Sequence, residues 1–157
     1  MVSTLKLNYL LIPLFVVITA SAASYFEDVG MAWYKTINLP EWTPSNSLTV
    51  LVWTIIFVLT SLSVLIIWNK YSTEKNFGLI ILLFSFNAIL IVGWNILFFT
   101  QKQIGLALFQ AMLLVVDLGL LIVLIWRFCP LAACLLFPYF LWVGFTTALT
   151  YSVWIIN

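Results

Sequence analysis

Five stretches of this chain are dominated by apolar side chains for about 20 residues, the length a helix needs to cross about 30 Å of hydrocarbon. They read Leu7 to Phe26, Val50 to Trp68, Phe77 to Thr100, Ile104 to Trp126 and Leu131 to Ile156. Four contain no Asp, Glu, Lys or Arg, and the run from Ile104 carries only Asp117. A membrane barrel would instead show short segments of alternating polarity, so the pattern predicts helices. The expected fold is an all-α membrane protein, a bundle of five transmembrane helices forming one domain over residues 1–157.

Between the runs, Asn69 to Asn76, Gln101 to Gln103 and Arg127 to Pro130 are short, so successive helices are expected to be antiparallel neighbours. Glu27 to Thr49 is longer, and is expected to be a loop that folds over the end of the bundle as a lid. Within it, Thr43 and Pro44 suit a helix cap and a first helical position, which starts the second helix near Pro44. Trp53 then lies about 14 Å along that helix, inside the bundle. Lys6, Lys70, Lys75 and Arg127 fall on one side against Lys35 and Lys102 on the other, so the positive-inside rule places the N-terminus in the cytoplasm. Lys6, the first apolar run and Ala20-Ser21-Ala22 have the outline of a cleaved signal peptide, but the apolar stretch is long for one. It is read as a retained helix.

Composition agrees with a chain immersed in lipid: 65% hydrophobic and 7% charged, against roughly half and a quarter in soluble domains. A net charge of +1 with no basic cluster gives no field for nucleic acid. Cys129 and Cys134 are too few for a disulfide framework or zinc site, and packing roles are expected. There is no histidine, so no imidazole is present to ligate haem iron or zinc or to activate a Ser or Cys nucleophile. No metal site is expected. Paired carboxylates and a glycine-rich phosphate loop are also missing, and Gly93, Gly105, Gly119 and Gly144 read as close-packing positions. Gln110 and Asp117, seven apart, share a face of the fourth helix, where hydrogen bonding between helices is the plain reading and a proton or cation path the sharper one.

Aromatic content stands out, with eight Trp, six Tyr and thirteen Phe. Trp33, Trp68, Trp126 and Trp154 lie near helix ends, where an interfacial belt explains them. Trp53, Trp94 and Trp142 lie in helix interiors, where an indole N–H needs a hydrogen-bond partner or a ligand edge. Helical spacing pairs Trp53 with Phe57, Asn87 with Trp94, and Trp142 with Thr146 on shared faces. Convergence of these faces would form a deep apolar pocket with few polar anchors, suited to a flat conjugated ligand; a Trp-rich packed core is the alternative. Pro138, one turn before Trp142, is expected to bend the last helix and free a carbonyl near that pocket.

At these residues the sequence resembles the translocator protein family, also called tryptophan-rich sensory proteins or peripheral benzodiazepine receptors. The resemblance runs nearly end to end. It is carried by Trp33-Tyr34, Leu39-Pro40-Glu41-Trp42-Thr43-Pro44, Val52-Trp53-Thr54, Gly93-Trp94 with Phe98-Phe99, Gly105-Leu106-Ala107-Leu108, and Cys129-Pro130-Leu131-Ala132-Ala133 through Pro138-Tyr139, Trp142, Phe145-Thr146-Thr147 and Tyr151 to Trp154. It implies a five-helix bundle, commonly a homodimer, that binds porphyrins and haem, synthetic aromatic drugs and, in animals, cholesterol. It also implies that Trp53 and Trp142 are the pocket tryptophans used by some bacterial members in light-dependent porphyrin breakdown. Tyr34, Trp42, Phe57, Asn87, Trp94 and Thr146 match other pocket positions. The chain departs from the pattern at Leu51, Ser45, Ile91 and Thr150, where many members have Pro, Pro, Asn and Asn. No basic residue follows Tyr151, so the sterol motif of the animal proteins is incomplete.

Four functional readings follow. The first is a receptor or sensor that binds a tetrapyrrole, porphyrin or haem, between Trp53 and Trp142, with Lys35 in the capping loop either meeting propionates or, the plainer reading, simply solvated. It requires no cofactor beyond that ligand. The second is an enzyme in which Trp53 or Trp142 exchanges electrons with bound porphyrin and oxygen under light. The third is a transporter of porphyrin or other small apolar ligands, disfavoured by the lack of paired ionisable residues in the helices. The fourth is a binding subunit of a larger complex.

Overall fold

The computed structural model describes residues 7–157, and its five membrane-length helical segments run antiparallel in chain order. Lys6, counted above for orientation, lies outside the described residues. The segments are α1 (Asn8–Tyr34), α2 (Asn46–Lys70), α3 (Phe77–Asn95) continued by a π-helical turn (Ile96–Thr100), α4 (Ile104–Trp126), and a fifth span divided into α5 (Pro130–Cys134) and α6 (Phe137–Ile156). α1, α4 and α6 end or begin with α2 and the π-turn at what we call the loop end of the bundle, where residues 35–45 connect α1 to α2.

Several boundaries differ from expectation, each for a local reason. α1 continues eight residues past Phe26, so Glu27 to Tyr34 are helical and the connecting loop is shorter than Glu27 to Thr49. Ala20, Ala23, Ser24, Glu27, Asp28, Met31, Tyr34 and Lys35 all face the interior cavity described below. Their spacing of three and four is that of one helical face, so the two carboxylates lie at the edge of the cavity and α1 keeps its lipid-facing side apolar. At the start of α2 the cap is Ser45, whose extended backbone lets Oγ accept from the Leu48 amide at 3.3 Å. Thr43 is unavailable because its amide and hydroxyl both bond to the Pro40 carbonyl, at 3.0 and 2.7 Å, closing a turn.

Pro138 stands in the first turn of α6, where its missing N–H leaves no bond broken inside a helix; the break falls at Leu135 and Leu136 instead. There the Leu136 amide bonds to Ala133, and the Ala132 carbonyl, left without its usual donor, accepts from the buried Ser63 hydroxyl at 2.8 Å. The Ser63 hydroxyl thereby satisfies one acceptor freed by the break, in hydrocarbon where an orphan would be expensive.

The core lies on α4, which alone among the spans buries nine residues, from Ala107 to Ile125. α1 is peripheral and buries only Thr19, Ala23 and Gly30. Its tight point is Gly30, because a Cβ there would overlap the backbone and Cβ of Phe99 in the π-turn. Gln110 donates to the Leu90 carbonyl at 2.9 Å, bridging α4 to α3 beside Gly93, where a Cβ would strike the same amide. Gln110 and Asp117 both act as hydrogen-bonding links between helices.

Candidate functional site: a tryptophan-lined cavity

A cavity of about 630 Å³ occupies the loop end of the bundle, enclosed by α1, α2, α3, α4, α6 and the connecting loop. Of the residues singled out from the sequence, Tyr34, Trp53, Phe57, Trp94, Trp142 and Thr146 line it. Each wall has its own construction. On α2, Trp53 stacks on Phe57 one turn away, with ring centroids 5.6 Å apart. On α6, Trp142 stacks on Phe145 at 5.2 Å. At the π-turn, Trp94 stacks on Phe98 at 4.9 Å and meets the edge of Phe99, while Tyr34 tilts against both phenylalanines. The wide turn brings Phe98 and Phe99 onto the same side as Trp94, a use consistent with the frequent placing of π-turns at binding sites.

Two predicted residues are placed elsewhere. Trp42 is 47% exposed on the outside of the loop end, packed edge-on against Phe145 at 5.5 Å, so it supports the Trp142 wall from behind. Asn87 is buried two turns before Trp94, where Nδ2 donates to Asp117 and Oδ1 accepts from the Tyr139 hydroxyl, both at 2.8 Å. That network ties α3, α4 and α6 together beneath the cavity and spends both polar ends of Asn87. Helical spacing of seven gives a shared face but also about 10 Å of axial separation, enough to leave Asn87 off the cavity wall.

Tyr139 also packs edge-on to Trp53 at 5.9 Å, so the network fixes the indole from below. Thr146, though on the wall, has its hydroxyl bonded to the Val143 carbonyl at 3.1 Å. The indole N–H groups of Trp94 and Trp142 are shielded and have no acceptor among the described residues. Such groups carry a desolvation cost that a carbonyl or ring nitrogen of a ligand could relieve after a small ring rotation.

The residues missed from the sequence are Ser24, Glu27, Asp28 and Asn95, together with Ile91 and Thr150, previously noted only as departures. Glu27, Asp28 and Lys35 give the otherwise apolar cavity a charged rim near the loop. The connecting loop is held across the mouth by Asn38 and Asn157, which exchange two bonds of 2.9 Å. Among the described residues no group of three His, Cys, Asp or Glu side chains is placed to hold a metal ion. The site has no nucleophile–base pair; its chemistry is aromatic surface and a charged rim.

Five apolar spans around an aromatic-walled cavity define a multi-pass integral membrane protein. The chain belongs to the TspO/MBR family, whose model matches residues 9–155. It is 33% identical over 136 residues to the "Tryptophan-rich protein TspO" of Bacillus cereus, covering 86% of this chain and 87% of that one. It is equally 33% identical over 135 residues to the "Uncharacterized membrane protein YtaB" of Bacillus subtilis, with 85% of each chain covered. The human "Translocator protein" is 29% identical over 131 residues, 83% of this chain and 78% of its own.

Proposed function

We propose that this protein is a membrane receptor or sensor that binds a tetrapyrrole, porphyrin or haem, in the cavity between Trp53 and Trp142. The observation that carries the reading is the cavity itself: indoles from three helices on its walls, no metal-ligating cluster among the described residues, and about 630 Å³ of space. A flat conjugated ring buries apolar surface on both faces there and gains offset or edge contacts with the indoles. Lys35 at the rim is the cation available to a propionate, while Glu27 and Asp28 beside it disfavour a second anionic arm at the same place. Binding needs no further cofactor. The reading extends to a homodimer and to a cytoplasmic N-terminus, which puts the loop end on the opposite side of the membrane.

Titration of the detergent-solubilised protein with protoporphyrin IX tests it. Saturable quenching of tryptophan fluorescence together with a red-shifted Soret band is expected, and the absence of both would refute it. Cysteine accessibility in intact cells, with single cysteines at Asn38 and Ser72, checks the orientation: the loop-end position reacts from outside and the other does not.

A second reading, light-dependent porphyrin degradation, is favoured by the direct contact of Trp53 with Tyr139, which places a second oxidisable ring beside the indole. Illumination of the complex in air decides it. Porphyrin loss at the rate of free porphyrin, unchanged in Trp53→Phe and Trp142→Phe, would exclude turnover.

A further inference from the structure

A second cavity of about 440 Å³ lies in the other half of the bundle, between the first half of α1, the second half of α2 and α3. It meets the tryptophan-lined cavity at Phe57 and Ile91, the two residues that line both. We propose that this lower groove holds one acyl chain of a membrane phospholipid, drawn from the leaflet opposite the connecting loop.

The polar inventory of the groove points to hydrocarbon. Only Thr19, Thr60, Ser85, Asn87 and Tyr139 bring side-chain oxygen or nitrogen beyond the indole of Trp68 at its foot. The hydroxyls of Thr19 and Ser85 are bonded to carbonyls of their own helices, at 2.9 Å each. Asn87 and Tyr139 are bound into the Asp117 network. Thr60 has an unpartnered hydroxyl, but its oxygen is shielded from the groove. Above the Trp68 indole an occupant thus finds no free donor or acceptor along the walls, which leaves that length without recognition of a polar headgroup and unfavourable for water.

Dimensions and access fit a chain rather than a disc. From Trp68 to Phe57 is eleven residues of α2, about 16 Å at about 1.5 Å per residue, close to half of a hydrocarbon core about 30 Å thick. The septum of Phe57 and Ile91 therefore stands near the bilayer midplane, where an acyl chain of one leaflet ends. The groove opens sideways along α1, where Leu11, Leu14, Phe15 and Ile18 line it yet remain about half exposed. At its foot Trp68 is followed within one turn by Lys70, an interfacial ring and an ammonium at the level of lipid phosphates.

The test uses the full chain in nanodiscs of phosphatidylcholine containing a fraction with a diazirine at the middle of one acyl chain, followed by irradiation and peptide mapping. Adducts concentrated on groove residues such as Phe15, Ile81, Phe84 and Ser85 are expected. They should be lost in Ala88→Phe, which fills the groove, and kept in Ile89→Phe, on the neighbouring exposed face. Adducts spread evenly over groove and exposed positions such as Val58, Leu82 and Ile89 would overturn the proposal. So would groove adducts that protoporphyrin IX displaces, since the groove would then belong to the same ligand as the upper cavity. The wild-type adduct map decides the matter even where Ala88→Phe does not fold, and its failure leaves tetrapyrrole binding in the upper cavity standing.

Discussion

The two halves of this bundle make two different interiors, the upper one lined by all five spans and the lower one almost entirely by α1, α2 and α3. At the loop end, α1 is drawn tightly onto the π-turn at Gly30, and the space left between the helices is walled by indoles and rimmed with Glu27, Asp28 and Lys35. In the other half the space is a groove of aliphatic and phenyl side chains whose polar atoms above the Trp68 indole are spent or shielded. Between them, the Asn87–Asp117–Tyr139 network crosses three helices and holds Trp53 in place. Polar groups inside lipid are costly, and the two cavities divide them unequally: charged side chains line the one at the loop end and none lines the other.

This contrast can be broken by substitution. The largest effect is expected in the upper cavity, where Trp53→Ala combined with Trp142→Ala should weaken protoporphyrin IX binding about a hundredfold, at about 1.4 kcal/mol per lost aromatic contact. Ala88→Phe in the groove should leave the dissociation constant unchanged; a comparable loss there would merge the two sites into one. Next in size is Gly30→Leu, which forces α1 off Phe99 and should cost about 1–3 kcal/mol in thermal or denaturant unfolding in detergent. Gly144→Ala, where a Cβ meets nothing within 4 Å, should be neutral or slightly stabilising in the same assay. Asn87→Leu removes the acceptor of Tyr139 and the donor to Asp117, and should cost about 1–2 kcal/mol, the range of hydrogen bonds between membrane helices. It should also loosen Trp53, read as a shift in its fluorescence maximum. The smallest effect belongs to Lys35→Gln at the exposed rim, a reduction in affinity of at most about fivefold that fades with added salt.

Much of this was legible in the chain. Hydropathy located all five spans, because a helix bathed in lipid must be apolar on nearly every side and the runs are correspondingly unbroken. The end of α1 was missed because Glu27 and Asp28 read as the start of a loop. Their helical continuation was nonetheless written in the spacing of Ala20, Ala23, Ser24, Glu27, Asp28, Met31 and Tyr34, a narrow inward face on an otherwise apolar helix. Trp53, Trp94 and Trp142 were found by their mid-helix positions, and the cavity does gather them. Asn87 and Trp42 were not separable from the wall by the same means. Periodicity reports the face of a helix and not its depth in a bundle, and for a loop residue such as Trp42 it reports nothing. The π-turn at Ile96–Thr100 has no local signal in a run of apolar residues; it coincides with the packing of Phe99 against Gly30 and of Phe98 and Phe99 against Tyr34. The lower groove was equally silent, since its lining is indistinguishable in sequence from any lipid-facing surface.

The central claim is that the tryptophan-lined cavity holds a tetrapyrrole in one fixed pose, and circular dichroism in the Soret region tests it most directly. Protoporphyrin IX has no such signal when free, and acquires one only in an asymmetric, ordered site. A saturable Soret band in the wild-type protein, lost in the Trp53→Ala, Trp142→Ala double variant and retained in Ala88→Phe, is the predicted result. No induced band in the wild type, or one that survives loss of both tryptophans, would contradict the account.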